Sequence, residues 1–121
     1  MDDKIKHALA NDRVIDITTT GRQSGQPRRK EIWFHNVDGR LYITGMPGKR
    51  DWYANLVANP SFTFHLKQSA TADLAARARP ITDPDERLLV LTPILAKLGR
   101  SDKMADWMAD SPLVAVTIDE P

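Results

Sequence analysis

The stretch VIDITTTGRQSGQPRRKEIWFHNVDGRLYITG, residues 14–45, decides the fold. Its first seven residues are β-branched except Asp16 and predict a strand that ends at Gly21. Gly21, Gly25 and Pro27 punctuate GRQSGQP too densely for a helix or a ladder, so this segment reads as a loop. RRKEIWFHN, residues 28–36, returns as a second strand and forms a hairpin with the first. Asp38-Gly39 is a two-residue turn signal, which places LYITG, residues 41–45, antiparallel to the second strand. An early three-strand meander is not the alternating βαβ of a parallel sheet.

Working outward, Ile5, Ala8 and Leu9 are spaced for a short amphipathic helix before the meander, broken by Asn11-Asp12. After the GMPGKR loop, Asp51 is the expected N-cap of a helix over WYANLVAN, stopped by Asn59-Pro60. SFTFHLK alternates, with Phe62, Phe64 and Leu66 on one face and Thr63, His65 and Lys67 on the other. TADLAARAR repeats that pattern with Ala72, Leu74, Ala76 and Ala78 inward, small residues that suit a crowded interior or a neighbouring helix. TDPDERLLVLTPILAKL opens with acids, predicts a helix striped by Leu88, Leu91, Leu95 and Leu98, and should kink or split at Pro93. A short helix over DKMADWMAD and a final strand, LVAVTI, complete the chain. The expected architecture is mainly β with flanking helices. It is a mostly antiparallel barrel of about six strands, with helices packed at its openings, in one domain over residues 1–121.

At 121 residues the chain suits a single core, and its 41% hydrophobic and 27% charged content places it among globular proteins. Net charge is only +1, so any basic patch is local, which points to a site more than to general nucleic-acid affinity. The lack of cysteine excludes disulfides, thiolate metal sites, iron–sulfur clusters and a cysteine nucleophile. The charged N-terminus has no apolar signal region, and no apolar run approaches the ~20 residues of a membrane span. The expected location is therefore the cytoplasm.

Within the deciding stretch, Arg22, Arg28, Arg29 and Lys30 fall close together with no acid between Asp16 and Glu31. Cations so crowded either stay solvated or gather around an anion. The loop matches neither the P-loop nor the dinucleotide fingerprint, and GMPGKR fails both as well. His7, His35 and His65 are scattered, no spacing favours a metal, and none is expected. Asp16 reads as a solvent-facing position on an alternating strand, and no Ser-His-Asp pattern singles itself out. Three features raise the anion-site reading. Glycines bring backbone N–H groups close, with Ser24 and Gln26 as neutral donors. Arginine dominates, and its planar fork pairs bidentately with phosphate or carboxylate. A second basic loop, Gly48-Lys49-Arg50, runs into Trp52-Tyr53, so both loops can frame one groove with cations at one end and an aromatic step nearby. A ligand with an anionic tail and a flat ring suits that groove.

TTTGRQSGQPR, followed by a strand and then by WYANLVANP, resembles the deazaflavin-dependent nitroreductase family, split β-barrel oxidoreductases that use coenzyme F420. The resemblance runs from about Asp16 to Leu66. It implies a cofactor with a flat ring, a phosphate and an oligoglutamate tail. It implies that Arg22, Gln23, Ser24 and Arg28 hold the tail and phosphate, and that the strand Arg29, Lys30, Glu31, Ile32 and Trp33 runs past the ribityl chain and ring. Thr44, Gly45, Met46 and Pro47 would line the ring, and Asp51, Trp52, Tyr53, Ala54 and Asn55 would close the site with a helix start. The chain departs from the family where lysine usually follows the first arginine, because Gln23 stands there; Arg29 or Lys30 would compensate. The loop before the helix is shorter than in the nitroreductases, so Lys49 or Arg50 would replace a loop lysine. The family's C-terminal tyrosines are missing, since Tyr42 and Tyr53 are the only two, and Tyr53 becomes the candidate proton donor.

The implied activity is hydride transfer from reduced F420 to a small acceptor: an enone, a quinone or a nitro compound. The cofactor carries the hard chemistry, so the lack of a catalytic triad is expected. The alternatives are an FMN-binding relative of the pyridoxamine oxidases, with one phosphate at the basic loop, or a non-catalytic carrier of cofactor or apolar ligand. A nucleic-acid binder fits poorly, because the basic loop has no aromatics for bases to stack on. Partners are then limited to a small-molecule substrate and, for a homodimer as against a monomer, a second copy.

Overall fold

β1 (Val14–Thr20) buries Ile15, Ile17 and Thr19 and turns Asp16 and Thr18 the other way, the two-residue alternation of a strand with one face on a core. β2 (Pro27–Val37) and β3 (Arg40–Thr44) follow it. They are joined by Asp38 and Gly39 at φ 53° and 86°, the paired left-handed conformation that a tight hairpin turn needs. β4 (Ser61–Lys67), β5 (Thr71–Pro80) and β6 (Leu113–Ile118) complete the set. Every pairing is antiparallel, and the order β1-β2-β3-β6-β5-β4 closes on itself through β1 and β4. The computed structural model describes residues 1–119; the last two positions of the expected domain, 120 and 121, lie outside the described residues.

Two long strands each bond one neighbour along their first part and the other neighbour along their second, while the ring as a whole stays closed. β2 pairs with β1 over residues 27–33 and with β3 over 34–37. β5 pairs with β4 over 71–77 and with β6 over 76–80. The interior is filled by alternate residues of the strands, among them Phe34 and Phe64, whose rings meet edge to face with centroids 5.2 Å apart. α1 (Asp3–Asn11), capped by the Asp2 carboxylate on the Lys4 and Ile5 N–H groups, adds Ala8 to this interior. α2 (Asp51–Ala58) adds Trp52 and Leu56 near the far end of β1 and packs on β1 and β5. The small Ala76 and Ala78 belong to the same cluster, as the crowding argument expected.

Helices at the openings describe α1 and α2 but not α3 (Pro84–Leu98) and α4 (Met104–Asp110). Those two cover the outside of the wall and build a second core on it, with Tyr42, Ile81 and Leu113. β3 is consequently buried on both faces, Leu41 and Ile43 inward and Tyr42 outward. The stripe on α3 differs from the expected leucines. Val90, Leu91, Ile94 and Leu95 are buried, whereas Leu88 and Leu89 stay exposed. Pro93 neither splits nor ends the helix, because it sits on the solvent side. There the Leu89 carbonyl that loses its N–H partner belongs to an exposed residue and can be hydrated.

The two strand histidines keep separate company. His65 lies between the Thr18 hydroxyl and the Asp73 carboxylate, each 2.7 Å away. His35 sits under α3, where burial, with Lys97 and Arg13 nearby, pushes its imidazole down to about 4.

Candidate functional site

The GRQSG loop is held by its own backbone: the Gly21 N–H donates to the Gln26 carbonyl and the Gly25 N–H to the Gly21 carbonyl, each at 2.8 Å. A side chain at Gly21 would come within 2.6 Å of the Ser24 hydroxyl and 3.3 Å of the Gln26 carbonyl, so any larger residue there would displace Ser24 from its place in the loop. Asn55 of α2 ties the loop to the helix. Its carbonyl oxygen accepts from the Arg22 N–H at 3.1 Å and from Arg22 Nη1 at 3.0 Å, while its amide donates to Thr19 Oγ1 at 3.3 Å. Asp51 adds a contact to Arg22 Nη2 at 3.4 Å. Arg22 is exposed but braced by these contacts, with fewer donors left for a ligand than its sequence position suggests.

Strand register divides the other cations. Arg28 lies opposite Thr19 and Lys30 opposite Ile17, so both share the face of those inward residues. Arg29, opposite Thr18, leaves on the outer face, where its Nε meets Asp16 at 3.0 Å. Asp16 also takes Lys67, which reaches Glu31 as well. These cations hold the Asp16 carboxyl below its ordinary range, the Lys67 hydrogen bond contributing most. Asp16 is therefore an outer-face anchor, more than a merely solvated position. Arg28 touches Ser24 Oγ at 3.4 Å, and neither it nor Lys30 pairs with a carboxylate among the described residues.

A basic cleft of about 920 Å³ opens over this face. Arg22, Gln23, Ser24, Arg28 and Lys30 line it on one side, with Arg29 at its edge, where the side chain turns away to Asp16, and Lys49, Arg50, Asp51, Trp52, Tyr53, Ala54 and Asn55 line the other. Asp51 is not the N-cap that the sequence suggested. Arg50 occupies that position, extended at φ −136° and ψ 136°, and offers no side-chain acceptor to the helix. The first-turn N–H groups of α2 thus lack a side-chain cap at the edge of a cleft rich in cations.

Lys49, Arg50 and Tyr53 also line a second cleft of about 630 Å³, which continues toward Pro47, Ile81, Pro84, Met108 and Pro112. Its floor holds a residue that sequence reasoning passed over. Arg87 of α3 is 8% exposed. Its Nε donates to the Met108 carbonyl at 3.1 Å and its Nη1 to the Ile81 carbonyl at 2.9 Å. Its Nη2 faces the Trp107 carbonyl and the carbonyl and hydroxyl of Ser111 at 2.8–3.1 Å. Burial pushes the guanidinium down from its usual range, and Tyr53 acts in the opposite sense. The one available signal was an arginine on the same helix face as Val90, Leu91 and Ile94.

Several expected residues fall outside both clefts. Thr44 is buried and donates to the Pro112 carbonyl at 2.6 Å, Gly45 lies beside Pro112 and Trp52, and Met46 faces solvent. Of that group only Pro47 lines a cleft, the second one. Glu31 turns outward to Lys67, Ile32 packs against the interior, and Trp33 stands exposed under Arg13 at 5.8 Å. Register explains Glu31 and Trp33, because both follow Arg29 onto the outer face.

Asn55 carries the loop, so Asn55→Leu should cost about 1–3 kcal/mol through the unpaired Arg22 N–H and the lost brace. Denaturant unfolding checks this against Val57→Ala on the exposed side of α2, which should stay within about 0.5 kcal/mol.

The family model described as F420H(2)-dependent quinone reductase matches residues 2–117. Among solved structures, the conserved hypothetical protein Rv2991 from Mycobacterium tuberculosis superposes with a TM-score of 0.74 at 18% identity, covering 99% of this chain and 82% of that one. The FAD-binding protein mll6688 from Mesorhizobium loti gives 0.72 at 18% identity, covering 99% and 91%. A NimC/NimA family protein from Clostridium acetobutylicum gives 0.66 at 15% identity, covering 95% and 82%. At these identities the three share the barrel fold.

Proposed function

The chain belongs to the F420H(2)-dependent quinone reductase family, and from that premise we propose that the basic cleft holds coenzyme F420 and the second cleft a small acceptor, with quinones foremost. The observation that carries this reading is the sorting of charge by strand register. Arg28 and Lys30 stand without a carboxylate on the cleft face, while Arg29 is neutralised on the other. With Lys49, Arg50 and the uncapped start of α2, they suit a ligand with several negative groups.

When bound, reduced F420 supplies a hydride to an activated acceptor. The chain's own residues place and shield that exchange. Arg28, Lys30 and Lys49 hold the phosphate and acidic tail. Trp52, 4% exposed, forms the cleft floor with its ring edge-on to Tyr53, the centroids 6.0 Å apart. Tyr53 lines both clefts, so its phenol is placed to pass a proton to whatever occupies the second. FMN is the alternative ligand. A single phosphate would engage fewer of these cations, which favours F420.

Fluorescence titration of the purified protein with F420, and separately with FMN, tests the assignment. Saturable binding of F420 well above FMN is expected, together with quenching of tryptophan emission. That quenching should disappear in Trp52→Phe and persist in Trp107→Phe, whose ring lies in the second core. Quenching that follows Trp107 would put the cofactor elsewhere.

A further inference from the structure

Arg87 is a charged group buried with no carboxylate partner among the described residues. Its acceptors are four carbonyls and one hydroxyl, all neutral. They fix the plane of the guanidinium but leave its unit charge in place. Nη1 has two hydrogens and one acceptor, so one N–H remains unengaged. If the position only had to join α3 to the start of β6, an apolar side chain would do so without the cost of a buried charge. The second cleft lies directly over it. The other ionisable groups on that wall are Lys49, Arg50, Asp110 and Tyr53. Lys49 and Arg50 stand at the junction shared with the basic cleft, and Asp110 is exposed at the end of α4.

We propose that Arg87 is the charge that the second cleft presents to its acceptor, stabilising the oxyanion that hydride addition leaves on a quinone. This rests on the reading of the two clefts given above. The balance is simple. Hydride carries two electrons and one proton from the reduced deazaflavin, which is oxidised, to the quinone, which is reduced to its hydroquinone monoanion. One further proton, from Tyr53 or water, gives the neutral hydroquinone. The negative charge before that proton arrives is shared with the ring but greatest on one oxygen, and a fixed cation beside it lowers the barrier without having to reorganise.

The test uses 4-nitrophenol, a phenol that ionises near neutral pH and turns yellow as it does, with no reduced cofactor present so that its nitro group stays intact. Bound to the wild-type protein, it should ionise about one pH unit or more lower than free, a tenfold or larger shift in its acid constant. A competing quinone should release it. The shift should survive in Arg87→Lys and vanish in Arg87→Met. An unshifted wild-type titration, or a shift unchanged in Arg87→Met, overturns the proposal. If Arg87→Met does not fold, Lys49→Ala and Arg50→Ala decide: a shift that persists in both assigns the charge to Arg87, and a shift abolished in either assigns it to that residue and overturns the proposal. Turnover gives a second readout. Arg87→Met should lose about 10²–10³ in rate with quinones whose hydroquinones are weak acids, and less with strongly acidic ones. Equal losses across the series would mean a structural role only. F420 binding measured in parallel separates the two readings. Its absence in the wild type defeats the cofactor assignment, whereas the phenol titration reads Arg87 with or without cofactor.

Discussion

Arg28→Ala is expected to weaken F420 binding by about one to two decades while leaving the melting temperature almost unmoved. Each charge-assisted hydrogen bond lost to a bound anion costs ~1.5–3 kcal/mol. Arg28 makes a single long contact inside the protein, to Ser24 at 3.4 Å, and its residue is exposed, so the fold depends on it little. Lys30→Ala should act in the same direction, by less, because an ammonium offers no bidentate fork. Arg22→Ala should behave differently. It removes the partner of Asn55 and Asp51, so stability falls together with affinity. Fluorescence titration at two salt concentrations, paired with thermal melts, measures all three. Unchanged affinity in Arg28→Ala would return the loop to the status of a solvated turn.

Quinones should turn over at least about tenfold faster per active site than nitroimidazoles. Of the helical stretch from Glu86 to Asp110, only Arg87, Met108, Ala109 and Asp110 line the second cleft. Met104 and Trp107 join the second core instead. No tyrosine or histidine from that stretch reaches the acceptor, and Tyr53 is the sole phenol on the wall. General-acid assistance is worth on the order of 10²–10⁴ in rate, so an acceptor that demands prompt protonation of a strongly basic product pays most for its scarcity. A quinone spreads the incoming charge and yields a weakly basic oxyanion that a guanidinium can hold. Steady-state rates with matched concentrations of the two acceptor classes decide the matter. Equal rates, or a preference for the nitro compound, would show that proton supply does not limit the site.

The ring of strands was legible because hairpin signals are local. Asp38-Gly39 and the alternation of SFTFHLK each depend on a few neighbouring residues. The placement of α3 and α4 was not legible. Nothing in RLYIT distinguishes a strand buried on one face from a strand buried on both, and only the assembled wall shows Tyr42 facing outward into a second core. Pro93 misled because its effect depends on which side of the helix it occupies. In the basic segment the residue types pointed to an anion, but their division did not emerge from spacing. The pairing of β1 with β2 sends Arg29 to Asp16 and leaves Arg28 and Lys30 together. Thr44, Gly45 and Met46 fell outside the clefts because a resemblance carries chain order and not the angle at which a loop leaves its strand. Arg87 was hidden by its setting in a helix that otherwise reads as packing.

The switch of partner along β2 has a consequence for self-association. Over residues 27–33 this strand bonds β1 on one side, and among the described residues no strand bonds the other. A bare strand margin of that kind is where a second chain can add on and begin a fibril. Here four successive charged residues, Arg28 to Glu31, point alternately to both faces of the margin, and an incoming strand would have to strip water from all of them. The proposed ligand capture and resistance to aggregation therefore draw on the same side chains. Exchanging them for neutral β-branched residues would turn this charged margin into a seed for cross-β growth.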